Sequence, residues 1–307
     1  MQAVEILPDL FFIERGYLNG NHFIYRSEKS ILIDTGYVAD VDVTVELINN
    51  LGVRLEDVRL IISTHTHCDH IGGNHLIQQQ SGCDIALHRI GKHFIETRDD
   101  WSTWWRYYHQ EADFFRCTIE LDDGDRVCVG PYEFDVIYTP GHASDGIVLY
   151  NRTQKILISS DALWENDMAV ITTRVEGSTA PYRMLESLAK LQALEVNMVY
   201  PGHGPAFADM NAAIGRSRKR LHGFLANRAL IGQDLLKKII IYTLLMRRSV
   251  HRDDFFGLLM TTHWFKETVD LYFDAQYQPL YDHIMEEFIR RGLVKDANGL
   301  LWTTVRP

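Results

Sequence analysis

The chain has 307 residues, 46% of them hydrophobic and 23% charged, with a formal net charge of −10. That is enough apolar material for one large core, or a core plus a small second domain, and it excludes wholesale disorder. No apolar run reaches the roughly 20 residues that span a bilayer, and no basic stretch precedes an apolar one in Met1–Phe12, so neither a membrane anchor nor a signal peptide is expected. Four cysteines, Cys68, Cys83, Cys117 and Cys128, show no CxxC pairing. They read as free thiols of a reducing compartment, which makes the cytoplasm the expected address.

In chain order, β-branched and aromatic runs predict strands at Phe23–Tyr25, Ile31–Asp34, Leu60–Thr64, Asp84–Leu87, Phe134–Tyr138, Ile147–Tyr150, Ile156–Ser159 and Met198–Tyr200. Between them, helical patterns lie near Val41–Leu51, Asn74–Gln80 and Tyr182–Leu194. Gly and Pro punctuate the strand ends, as in Asp34-Thr35-Gly36, Thr139-Pro140-Gly141-His142 and Tyr200-Pro201-Gly202-His203-Gly204. After Gly204 the pattern turns helical, at Ala212–Ile231, Asp234–Leu245, Asp253–Met260, Glu267–Ala275 and Leu280–Arg291, followed by a turn at Asn298-Gly299 and the run Leu300–Val305. A helix followed by a short hairpin has the form of a winged helix. Residues 211–307 carry 15 basic against 10 acidic residues, leaving 16 against 31 in residues 1–210. This asymmetry suggests two functional regions, divided near residue 210.

The strongest chemical signal is His65-Thr66-His67-Cys68-Asp69-His70, directly after the apolar run Leu60–Thr64. In an extended segment His65 and His67 point to one side and can reach one ion. Where the chain turns helical, Asp69 and His70 can address a second. Neutral imidazoles and carboxylates without a thiolate suit Zn²⁺, with Fe and Mn as alternatives. Cys68 points away from the ligands and reads as a packed thiol. His142, Asp161 and His203 each end another predicted strand, where side chains from different strands converge. His75, His88, His93 and His109 lack such placement and read as ordinary residues.

Together with Asp34-Thr35-Gly36, these segments resemble the metallo-β-lactamase superfamily in the right order over residues 1–210. The resemblance implies an α/β fold, an αββα sandwich, with a C-terminal helical domain of winged-helix type at 211–307. It implies two divalent ions, the first on His65, His67 and His142, the second on Asp69, His70 and His203, with Asp161 bridging both and Asp34 supporting the site by hydrogen bonding. His70 directly after Asp69 is similar to the glyoxalase II, lactonase and RNase Z branches. It disfavours true class B β-lactamases, while His67 in place of a Glu disfavours the flavodiiron branch. A water bridging two cations loses its proton near neutral pH and attacks a carbonyl or phosphoryl centre, and Asp69 orients that nucleophile or accepts its proton.

Residues 91–118 stand where family members place a variable insertion. The aromatic run Trp101–Tyr108 with Phe114-Phe115 is read either as an apolar pocket wall for a small-molecule substrate or as packing onto the domain. The tail resembles, more weakly, that of the β-lactamase-like protein 2 group, with a basic helix carrying Arg216, Arg218, Lys219 and Arg220. The favoured expectation is hydrolysis of a small ester, thioester or lactone. The rivals are a metal-dependent nuclease with a nucleic-acid-binding tail and a metal-bound ligand-binding protein with little turnover. Self-association is left open.

Overall fold

The computed structural model describes residues 2–306. Seven strands form the first sheet in sequence order: β1 (Ala3–Leu7), β2 (Leu10–Ile13), β3 (His22–Tyr25), β4 (Ser30–Ile33), β5 (Val58–Ile62), β6 (Asp84–His88) and β7 (Ile119–Leu121). The second sheet contains β8 (Arg126–Val129), β9 (Tyr132–Tyr138), β10 (Ile147–Asn151), β11 (Ile156–Ser160) and β12 (Met198–Pro201), in the order β12-β11-β10-β9-β8. Alternation along each strand sends successive apolar side chains to opposite faces. Phe23, Ile33, Ile62, Phe134, Leu149 and Ile158 meet between the sheets. Ile24, Leu32 and Ile61 face the other way, into a core shared with helices. On the second sheet Val148 and Leu157 do the same against a separate helical layer. Sheets covered on both faces explain why the strands read as continuous apolar runs. Each fully buried Ile or Leu contributes about 1.5–3 kcal/mol before chain entropy is set against it.

The helices before the tail are α1 (Val41–Asn50), α2 (Cys68–Ile71), α3 (Asn74–Ser81), α4 (Arg89–Thr97), α5 (Trp105–Tyr108), α6 (Thr173–Glu176) and α7 (Ala180–Gln192). The tail adds α8 (Met210–Ala226), α9 (Ala229–Arg247), α10 (Arg252–Leu259), α11 (His263–Phe273) and α12 (Tyr277–Arg290), with β13 (Val250–His251), β14 (Val294–Ala297) and β15 (Leu300–Thr303) in a small sheet ordered β13-β15-β14. α7 and α8 cover the second sheet. α9 lies in the same core as the outer face of the first sheet, with Leu236, Ile240 and Leu244 fully buried. A helix that is apolar all round is a buried helix. Among the described residues no helix is long and apolar enough to cross a membrane.

Two departures from the sequence reading have clear causes. The predicted helix Ala212–Ile231 is broken, because Asn227 is extended at φ −141° between α8 and α9. The gap expected before Asp234 is absent. Gly232 lies inside α9, where a Cβ would stand 2.6 Å from the Tyr272 ring, so it permits close approach of α11 and does not end a helix. The hairpin β1–β2 was not predicted; its turn at Pro8-Asp9 places Asp9 at φ +62°.

The strands bearing the candidate ligands end on one edge. β4, β5 and β6 are parallel. β11 and β12 are parallel, and β9 shares their direction through antiparallel β10. The two edges are tied together: Asn21 Nδ2 donates to the carbonyls of Pro201 (2.9 Å) and Gly204 (2.8 Å), and Ile147 N donates to Thr64 O (3.0 Å).

Candidate metal centre

β5 stops at Ile62 and the chain bends at Thr64 before reaching His67, whose φ −67° and ψ 145° place it just before the single turn α2. His65 and His67 share a side, and the turn redirects Asp69 and His70. His142 follows β9, Asp161 follows β11 and His203 follows β12, and all seven side chains are buried. They meet in three groups, each with ligand atoms within 4.8 Å of one another: His65, His67 and His142; Asp69, His70 and His203; and His65, His70 and Asp161. Asp161 stands between the first two. Its Oδ2 faces His142 Nε2 at 3.2 Å, while its Oδ1 faces His70 Nε2 at 3.5 Å and His203 Nε2 at 3.9 Å. Asp69 Oδ2 lies 3.2 Å from His203 Nε2.

Hydrogen bonds behind the rings determine which nitrogens are free. His70 Nδ1 donates to Asp34 Oδ2 (2.8 Å), His142 Nδ1 to Val170 O (2.8 Å) and His203 Nδ1 to Gly16 O (2.9 Å). Asp34 Oδ1 also accepts from Thr64 N (2.8 Å), and its Oδ2 from Thr64 Oγ1 (2.8 Å). With its proton donated to Asp34, Thr64 Oγ1 is left to accept from His65 Nδ1 at 3.2 Å. Each Nε2 then carries its lone pair inward. His65 Nε2, His70 Nε2 and His142 Nε2 are buried without a hydrogen-bond partner. Three converging orphaned acceptors would cost about 1–3 kcal/mol each. Divalent cations satisfy them, so the donor set fits two ions.

Charge supports the same fit. Burial, then neighbouring His70, holds His65 well below the ordinary histidine range. His67 is lowered by burial and by His65 and His142. For His70 burial resists the charge, but Asp161, Asp69 and Asp34 outweigh it and raise the pKa. His203 is raised against burial by Asp161 and Asp69, while His70 and His203 hold Asp161 well below the carboxylate range despite its burial. The second group is thus a place where positive charge is favoured.

Backbone conformation makes room for this arrangement. Asp34 and Ser160 have φ of +57° and +45° at the ends of their strands, conformations that side-chain-bearing residues keep only where the surroundings over-determine them. At Gly202 a Cβ would collide with Asp161 Oδ1 and stand 2.9 Å from Ser160 C. Gly202→Ala should therefore lower stability by about 1–3 kcal/mol and reduce bound metal, read by urea unfolding and elemental analysis. An unchanged midpoint with full metal content would contradict the close approach.

A cavity of about 50 Å³ opens from the converging side chains, lined by Tyr17, Trp104, Tyr108, Trp164 and Tyr242 among others. Tyr17, Trp164 and His203 also border an outer cavity of about 340 Å³, which Glu14, Glu165 and Arg306 help to line. The aromatic insertion divides its labour. Trp104 and Tyr108 wall the inner cavity, whereas Trp101 packs on His263 (5.4 Å between centroids) and Trp105 on Phe114 (4.6 Å). Cys68 is buried, with Sγ donating to Gln110 Oε1 at 3.1 Å and its thiol pushed up by burial. His75, His88, His93 and His109 belong to none of the ligand groups.

Sequence reasoning named Asp34, which bonds His70 and Thr64, but missed the rest of the supporting layer. Val170 O and Gly16 O act through backbone, which leaves no residue signature. Trp104, Glu176 and α9 reach the site from distant segments. Trp104 Nε1 donates to Glu176 Oε1 at 2.8 Å, and burial pushes the Glu176 carboxyl up to about 8, with Asp145 adding to the effect. A carboxyl raised in the folded state loses stability as pH climbs from its unfolded value, 4.5, to its folded value, about 8. Metal-free protein should therefore melt progressively lower across that window. Glu176→Gln should flatten the slope in thermal melts; an identical slope would show that the group does not titrate there.

Known proteins share this architecture. A metallo-beta-lactamase family protein from Thermus thermophilus superposes with a TM-score of 0.62 at 18% identity, covering 97% of this chain and 99% of that one. The acyl-coenzyme A thioesterase MBLAC2 of Homo sapiens is 25% identical over 186 residues, 52% of this chain and 65% of its own length. A hydroxyacylglutathione hydrolase from Rhodospirillum rubrum is 32% identical over 144 residues, 47% of each chain. The match thus spans less than two thirds of either relative. The profile of the Metallo-beta-lactamase superfamily matches residues 16–203, a span that contains all seven converging side chains, and the chain belongs to that superfamily.

Proposed function

We propose that the protein is a dinuclear metal-dependent hydrolase of a small ester, thioester or lactone with an apolar part, acting in the cytoplasm. The observation that carries this is the convergence of three buried, unpartnered Nε2 atoms around Asp161 at the floor of an aromatic-walled cavity. His65, His67 and His142 would hold one ion, Asp69, His70 and His203 the other, and Asp161 would contact both. Zn²⁺ suits these donors, with Fe and Mn as alternatives. The bound centre would supply an activated water and polarise the substrate oxygen that gains charge.

This chain's own residues do the rest. Asp69, at the cavity wall, orients the nucleophilic water or accepts its proton. Trp104, Tyr108 and Tyr242 keep bulk water from the acyl group. Similarity to an acyl-coenzyme A thioesterase and to hydroxyacylglutathione hydrolases favours carbonyl chemistry. Residues 211–307 are proposed as a second, winged-helix-type domain that shapes the pocket; the supporting observation is that Lys238, Ile239 and Tyr242 of α9 line it. Nucleic-acid binding is disfavoured because three of the four basic residues named on α8 are engaged within the chain. Arg216 donates to Glu165 O, Arg218 to Gln192, and Arg220 pairs with Asp167 and Asp234.

The test is a hydrolysis panel on metal-loaded protein with His67→Ala as blank, setting thioesters, lactones and carboxyl esters beside phosphodiesters and single-stranded RNA. Metal-dependent turnover of carbonyl substrates alone is expected. Salt-sensitive RNA cleavage would replace this reading with a nuclease, and tight binding of an apolar metabolite without turnover would make the protein a binder.

A further inference from the structure

Four of the five candidate histidine ligands are held from behind by hydrogen bonds, to Thr64, Asp34, Val170 and Gly16. Among the described residues, His67 has no such partner at either ring nitrogen. It has Trp104 instead, with centroids 3.8 Å apart and planes inclined by 33°. The same indole meets His142 edge-on at 4.9 Å. Trp104 is itself firmly placed. It is 4% exposed, its φ is +71°, and its N–H is engaged by buried Glu176. Beside it the Tyr108 hydroxyl meets Thr172 Oγ1 at 2.5 Å. The insertion is thereby joined to the segment that offers the Val170 carbonyl to His142.

An outer contact has two tasks at a metal-binding imidazole: choosing the tautomer and fixing the ring plane. A stacked indole performs the second, and it adds an electrostatic contribution. Coordination makes an imidazole more electropositive, and the electron-rich indole face attracts positive charge. We propose that Trp104, anchored by Glu176, is the positioning residue of His67, taking the place of the missing hydrogen bond and controlling the first ion far more than the second. This rests on the two-ion reading above.

The test uses the full chain, stripped of metal and titrated with Co²⁺ in competition with a chelator, so that both binding constants and the visible absorption of the ion are read. Trp104→Ala should weaken the first ion by roughly 10–100-fold, the usual effect of losing an outer partner, and leave the second constant unchanged. Trp104→Phe, which keeps a ring face, should recover most of that affinity. Trp101→Phe, a change in the same insertion at a ring that packs on His263 and does not line the cavity, should leave the first ion bound as in the wild type. If Trp104→Ala does not fold, Trp104→Leu, which fills the space without a ring face, takes its place with the same expected outcomes. An unchanged first constant, or equal weakening of both ions, would overturn the proposal. A wild-type chain that binds no Co²⁺ would sink the two-ion reading itself, and this inference with it.

Discussion

Asp161→Ala is expected to remove metal and activity together. Its two carboxylate oxygens point to different partners, Oδ2 to His142 and Oδ1 to His70 and His203, so one side chain serves both groups. Outer-shell losses cost 10–100-fold in metal affinity; removal of a shared ligand should exceed that, with turnover falling by more than about 100-fold. Elemental analysis and initial rates on the same preparation decide the matter. A variant that kept two ions and its rate would show that Asp161 does not join the groups. Loss of one ion alone would assign Asp161 to a single ion.

The largest expected effect on stability lies away from the ligands. Lys238 is 8% exposed, and its Nζ meets Asp167 Oδ1 (3.0 Å), Asp234 Oδ2 (3.2 Å) and the Met168 carbonyl (2.5 Å). Arg220 completes the cluster on the same two carboxylates. Its ammonium donates to Asp167 Oδ1 and the Met168 carbonyl and pairs with Asp234, so this lysine acts as a tie between α9 and the loop after Asp161, although it also lines the cavity. Lys238→Ala should cost about 3–5 kcal/mol, because it leaves a buried carboxylate short of its partner. Urea unfolding measures the loss; a change below about 1 kcal/mol would mean that Arg220 neutralises both acids alone. KM should rise as well, since Trp164 and Val170 sit on the tied loop.

The sequence made the seven converging side chains legible because metal chemistry concentrates rare residue types at short spacing. His65 to His70 lie on one strand end, and period-two alternation together with the helical turn dictates where each points. His142, Asp161 and His203 were legible through the apolar strands before them. The tail's helices were visible as well, but its role in walling the cavity was not, since nothing local to α9 distinguishes a core-facing residue from a cavity-facing one. Gly232 shows the ambiguity directly. Its lack of a side chain reads as a break, and only the neighbouring Tyr272 ring reveals it as a close contact. The aromatic insertion was equally ambiguous, because stacking on His67 and packing on Trp264 draw on the same residue types.

The position of α9 also has a consequence for the order of events in synthesis. Tyr242 donates to the Leu18 carbonyl and Tyr37 donates to Met246 Sδ, contacts between the start of the chain and a helix emerging more than two hundred residues later. All seven converging side chains precede α9, so a nascent chain can present that edge complete while one wall of the cavity is still missing. At typical elongation rates the stretch from His203 to Arg247 takes roughly 2–9 s. During that interval the cavity wall that α9 will supply, and the Leu18 and Tyr37 groups it will bond, are open to water and to other chains. Chaperone dependence, and sensitivity to ribosomal pausing within α9, should therefore be properties of the young polypeptide that the finished molecule no longer displays.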